Sequence, residues 1–206
     1  MKIYEGIEQG TKEWKQLREL KFTASHASTI MANGKGLQTL VKKMLAEYYS
    51  SGEYEEYSSE YKNSQMQRGN DFEDKARMIY ELETGEKVKQ VTFVELNKFV
   101  GASPDGLVGE HGLIEIKNHN DEVFLQLVLD KKIDKKYIDQ MQMQMYVTGR
   151  QWCDYFGFNP NFNPSFVKIR VFRDPDKLAL LESGLKTGVG LLVSKKKSLD
   201  TMLNKH

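Results

Sequence analysis

The order of segments in this chain predicts an α/β fold, a central mixed β-sheet flanked by helices on both sides. Three observations carry that expectation. Stretches with apolar residues at helical spacing alternate, along 206 residues, with short runs of β-branched and aromatic residues. A hairpin occupies the middle, where 105–108 and 112–117 flank the polar, glycine-bearing Gly109-Glu110-His111-Gly112. Two more strand-like runs, 152–158 and 165–172, lead into a long helix opening at Asp174-Pro175-Asp176.

The length suits one substantial domain spanning 1–206. Composition is that of a soluble protein, 39% hydrophobic and 29% charged, with no signal-like start and no apolar run near the ~18 residues of a membrane span. A single cysteine, Cys153, rules out a disulfide framework or a cysteine-rich zinc or iron–sulfur site within one chain, and points to a reducing cytoplasm. With a net charge of +1, any binding to nucleic acid has to come from local clusters of Lys and Arg.

Taken from the start, residues 9–21 read as a short helix capped by Thr11, with Trp14 expected in the core and Arg18 one turn on. Ser25 reads as the N-cap of a next helix, where exposed N–H groups also suit a phosphate. His26 has no partner at a metal-ligand spacing. Gly34-Lys35-Gly36-Leu37 reads as a loop whose Lys35 can touch phosphate, and Leu37–Tyr49 as a helix. Residues 50–64 read as an exposed connection. A helix over 64–84, stopped by Gly85, carries Glu73 and Arg77 one turn apart, a spacing that an ordinary ion pair also explains. Strands are expected at 88–95 and 99–102, helices at 123–129 and 133–148. On the last of these Tyr137, Met141 and Met145 form an apolar stripe. Beside it Gln140 and Gln144 face either solvent or a carboxylate or phosphate. Gly184, Gly188 and Gly190 weaken the final helix and suggest close packing or a kink.

The chemistry concentrates in Ser103-Pro104-Asp105-Gly106 and Glu115-Ile116-Lys117. If 109–111 form the loop, Val108 pairs with Gly112 and Asp105 lies opposite Glu115. Alternation then puts Val108, Ile114 and Ile116 on a core face, and Asp105, Glu115 and Lys117 on the other. Two carboxylates that close raise each other's pKa unless a cation joins them. An all-oxygen set suits Mg²⁺ or Mn²⁺ rather than zinc. The plain alternative is a Pro-Gly turn beside an exposed strand.

Several motifs together resemble the λ-exonuclease, or YqaJ-type, branch of the PD-(D/E)XK nuclease superfamily. They are Trp14-x3-Arg18 with Thr23-Ala24-Ser25; Arg68-Gly69-x3-Glu73-x2-Ala76-Arg77; Ser103-Pro104-Asp105-Gly106 with Glu115-x-Lys117; and Tyr137-x2-Gln140-x-Gln142. The resemblance implies a PD-(D/E)XK core. It also implies that Asp105, Glu115 and the Ile116 carbonyl bind the metal, Glu73 approaches it from its helix, Lys117 positions and activates water, and Gln140 faces the site. Arg18, Ser25 and, in the family's basic position, Lys35 would hold a 5′-terminal phosphate, and Met66 would wedge into the terminal base pair. The implied activity is Mg²⁺-dependent, 5′-to-3′ digestion of double-stranded DNA ends that leaves a 3′ single strand. A homotrimer and a single-strand annealing protein are the implied partners. Two other readings stay open: an endonuclease of the same superfamily, and a catalytically inactive DNA-binding module.

Overall fold

A computed structural model of the chain describes residues 1–8, 10–50 and 59–203; for 59–71 it describes the backbone alone. In chain order the elements are β1 (Lys2–Tyr4), α1 (Lys12–Arg18), β2 (Phe22–Thr23), α2 (Ala27–Ala32), α3 (Lys35–Tyr49), α4 (Ser59–Thr84), β3 (Val88–Lys89), β4 (Phe93–Asn97), β5 (Val100–Ala102), β6 (Gly106–Val108), β7 (Gly112–Asn118), α5 (Asp121–Asp130), α6 (Lys135–Thr148), β8 (Trp152–Phe158), β9 (Phe166–Phe172) and α7 (Pro175–Leu203). Among the described residues no helix is long and apolar enough to cross a membrane.

The fold is the expected α/β class, with its strands divided between two sheets. The larger has the order β3-β6-β7-β8-β9, the smaller β1-β4-β5-β2. In the larger sheet β7 is antiparallel to β6 and parallel to β8, so the sheet is mixed. The hairpin register matches the expectation, with Gly106 opposite Ile114, Leu107 opposite Leu113 and Val108 opposite Gly112.

Both faces of β7 are covered. Ile114 and Ile116 join Val108, Phe156 and Phe158 beneath Ala76 and Tyr80 of α4. On the opposite face Leu113, Cys153 and Tyr155 pack with Met141 and Met145 of α6. Glu115 therefore has no solvent exposure, and its face of the strand is interior rather than open. Behind α6, α7 lies so close to α2 that a Cβ on Gly184 would sit 1.9 Å from the Ile30 carbonyl oxygen. Glycine is what this crossing requires.

Several local expectations need correction. Helix α1 ends at Arg18, with Leu20 at φ +52°, and Trp14 is half-buried against Arg18 instead of sitting in the core. Ser25 caps nothing: it is exposed, inside a 3₁₀ turn over Ala24–His26, and α2 starts after His26 without a side-chain cap. Residues 35–37 are the first turn of α3 and not a loop, because the apolar series Leu37, Leu40, Val41, Met44 extends helical order back to Gly34. Helix α4 begins at Ser59, inside the stretch read as a connection.

Candidate active site

The hairpin sets the acids against each other. Asp105 ends the turn before β6, half-buried, and its Oδ2 accepts the Ile116 N–H at 2.7 Å. Glu115 is held from three sides. Its Oε1 accepts from Lys117 Nζ at 2.5 Å and from Gln140 Nε2 at 2.6 Å, and its Oε2 accepts from Gln144 Nε2 at 2.6 Å. The two glutamines lie one turn apart on α6, which delivers both amides to one carboxylate. Gln144 is fully buried, and its Oε1 has no partner among the described residues. One polar atom is thus left unsatisfied so that the amide can reach Glu115, a cost that packing alone does not explain.

Electrostatics separate the groups. Burial, then the Glu115 charge, push Asp105 well above the usual carboxylate range. Burial opposes the charge on Lys117, but Glu115 and Asp105 outweigh it and hold the ammonium protonated. Lys117 is therefore a cation and donor in this arrangement, not a base. Its Nζ lies 5.3 Å from the centre of the Tyr137 ring, which supports it from α6.

Glu73 and Asp105 line one cleft of about 420 Å³, together with Arg77 and Pro104. Burial raises the Glu73 pKa, while Arg77 opposes it through a 2.7 Å bond. Arg77 also grips Asp74 at 2.6 Å. Among the described residues no three His, Cys, Asp or Glu side chains form a ready cage. Glu73 faces the same cleft as Asp105 from α4, with Arg77 bonded to it on the cleft wall. The donors on hand are Asp105, Glu115 and the Ile116 carbonyl. They fit a hard divalent cation: all are oxygens, and Asp105 carries the proton preference that a nearby cation would remove.

Arg18 and Ser25 meet through Thr23. Arg18 Nη2 donates to Thr23 Oγ1 at 3.2 Å, and Thr23 Oγ1 lies 3.3 Å from Ser25 Oγ. Arg18 Nη1 donates to Ser103 Oγ at 3.2 Å, two residues before Asp105. The parallel pairing of β2 with β5, Thr23 beside Gly101, brings these segments together. Arg18 also stacks on Trp14, 4.3 Å from its ring centre. Lys35 is exposed at the start of α3, and no described contact joins it to this cluster. The Met66 side chain lies outside the described residues.

In the sequence, Gln144 shares with Gln140 the choice between solvent and a carboxylate or phosphate, and Tyr137 and Ser103 stand only as motif positions without a role. The spacing of Gln144 from Gln140 was the available signal. Ser103 and Tyr137 open two of the motifs quoted above, which was theirs.

The model of the YqaJ-like viral recombinase domain matches residues 13–151. The chain belongs to that family. Among solved structures, the alkaline exonuclease LHK-Exo from Laribacter hongkongensis is 33% identical over 95% of this chain and 99% of that one, with a TM-score of 0.81. The same exonuclease in complex with dAMP gives 0.82. A phage-related exonuclease from Haemophilus somnus 129PT shares the fold, with a TM-score of 0.61 at 16% identity over 89% of this chain and 98% of that one. No curated protein matches significantly. The candidate site residues from Arg18 to Gln144 lie within the matched span.

Proposed function

We propose that the chain is a DNA exonuclease that hydrolyses double-stranded DNA from a 5′ end, dependent on Mg²⁺ with Mn²⁺ as substitute, and leaves a 3′ single strand. The observation that carries the reading is the bridge from Arg18 through Ser103 to the acid pair. It sets a guanidinium and the hydroxyls of Thr23, Ser25 and Ser103 close in the chain to Asp105. A terminal phosphate held there fixes which bond faces Asp105, with no need for base recognition. The 33% identity to an alkaline exonuclease, itself crystallised with dAMP, supports the same reading.

Asp105, Glu115 and the Ile116 carbonyl would hold the cation, which supplies Lewis-acid polarisation of a phosphoryl oxygen and charge neutralisation. Lys117, kept protonated, donates to the oxygen on which negative charge develops and orients the attacking water. Gln140 and Gln144 hold Glu115 in place, so little reorganisation is needed as charge builds. Glu73 adds negative potential from across the cleft. The reading extends to one nuclease domain over 1–206, working in the cytoplasm as a homotrimer that hands its 3′ strand to an annealing protein.

Linear duplex labelled separately at each terminus, with closed circular duplex alongside, tests this. The expected result is early loss of the 5′ label in Mg²⁺, none in EDTA, and an intact circle. Cleavage of the circle would replace the reading with an endonuclease.

A further inference from the structure

Along β7 the side chains of Glu115 and Lys117 fall at alternate positions, and His119, one step past the strand, continues the series. Its backbone keeps the register, because its N–H donates to the Phe158 carbonyl at 3.0 Å. Its Nε2 lies 2.7 Å from the Tyr155 hydroxyl. Tyr155 sits beside Glu115 in the β7–β8 pairing, and its ring centre is 5.9 Å from that of Tyr137. Tyr137, Tyr155 and His119 thus make a wall running from Lys117 into a second cleft, about 1220 Å³, lined also by Lys132, Lys136 and Asn161.

Burial raises the Tyr155 hydroxyl above the ordinary tyrosine range. Burial, then Lys117 and Lys136, hold the imidazole below the ordinary histidine range. Both groups are neutral near pH 7. Where the Tyr155 hydroxyl donates to Nε2, the ring proton stands on Nδ1 and is left to donate elsewhere. Two strand residues advance the chain by about 6.6 Å, comparable with the step between successive phosphates on an extended nucleic-acid strand. The Arg18 cluster reaches the acid pair from the Asp105 side, and His119 lies beyond Lys117.

We propose that His119 is a positioning residue that donates from Nδ1 to the phosphate on the 3′ side of the scissile one, with Tyr155 fixing its tautomer. The proposal rests on the reading that Lys117 faces the scissile phosphate and that Arg18 takes the terminal one.

The test crosses protein with substrate. Wild type, His119→Ala and His119→Gln each digest a 5′-phosphorylated duplex, in its natural form and with that single 3′-side phosphate replaced by an uncharged methylphosphonate. For the wild type, the replacement raises KM about five- to tenfold with kcat changed less than about threefold, the size of one lost hydrogen bond. His119→Ala shows a similar KM rise on natural DNA and no further rise on the modified one, whereas His119→Gln, which keeps an N–H donor, recovers part of the loss. Effects of mutation and modification that multiply, or an unchanged KM in His119→Ala, overturn the proposal. Failure of the wild type to cut natural duplex overturns the nuclease reading, and this one with it.

Discussion

Two buried carboxylates, Asp139 and Glu115, show how differently this protein treats an interior charge. Asp139 sits on α6 with no solvent exposure and accepts from Ser28 of α2 at 2.8 Å, Lys135 at 2.5 Å and Lys177 of α7 at 2.7 Å. Burial opposes its charge, but Lys135, Lys177 and Ser28 outweigh it and hold the carboxyl below its usual range. Its charge is matched, and the cluster ties three helices together. Glu115 is equally buried, yet it faces Asp105, whose pKa is driven up. One ammonium serves two acids there, and the glutamines that complete the shell bring no charge. A buried acid with its own cations holds helices together. A buried acid set against another acid keeps a place for a cation that the chain does not supply.

The sharpest way to break this contrast is to remove the lysine from each cluster. Lys117→Ala should lower kcat about 10³-fold while DNA binding changes less than about threefold. Lys177→Ala should leave kcat within about twofold and lower the melting temperature. Comparable loss of turnover in both would erase the distinction.

Neutralising the acids should move stability in opposite directions. Asp139→Asn strands Lys177 and should lower the melting temperature by about 5–10 °C. Asp105→Asn, measured in EDTA, should raise it by about 2–5 °C, because the amide still accepts the Ile116 N–H and relieves the repulsion. A fall in both would make Asp105 an ordinary structural acid.

Acid titration of stability gives the same contrast. Asp139, with its folded pKa lowered, contributes stability that is present above about pH 4 and is lost as pH falls through the folded value. Asp105, with its folded pKa raised, contributes stability that is present below about pH 4 and lost as pH rises through the folded value. In EDTA, Asp139→Asn should flatten the acid limb of a melting-temperature profile, and Asp105→Asn the decline toward neutral pH. Smaller still, Arg18→Ala should reduce the preference for 5′-phosphate over 5′-hydroxyl ends about tenfold in competition digests. An unchanged ratio would detach the Arg18 cluster from end recognition.

How much of this was legible beforehand followed the strength of local periodicity. The hairpin register could be read because a one-residue slip would place Asp105 on the apolar face, and the short loop leaves few alternatives. Gln140 was legible as a site residue, yet the burial of Gln144 was not, since a glutamine stripe looks alike against solvent and against a carboxylate. Strands β1 and β2, three and two residues long, carry no period at all and exist through pairing with β4 and β5. Ser25 suggested a cap by type alone, while Ala24 before it and Ala27 after it are buried and the chain between them takes a 3₁₀ step. Lys35 looked like a loop residue because Gly34 and Gly36 flank it. The apolar series that follows overrode the glycines. The Arg18–Ser103 bridge spans 85 positions and depends on a parallel strand pair that no local signal announces.

The central claim, that the Asp105–Glu115 pair is a seat for a divalent cation, is tested most directly by melting temperature against MgCl₂ concentration at constant ionic strength. The account predicts a saturable rise for the wild type, kept in Asp139→Asn and abolished in Asp105→Asn. A wild type indifferent to magnesium, or a rise that survives Asp105→Asn, would contradict it.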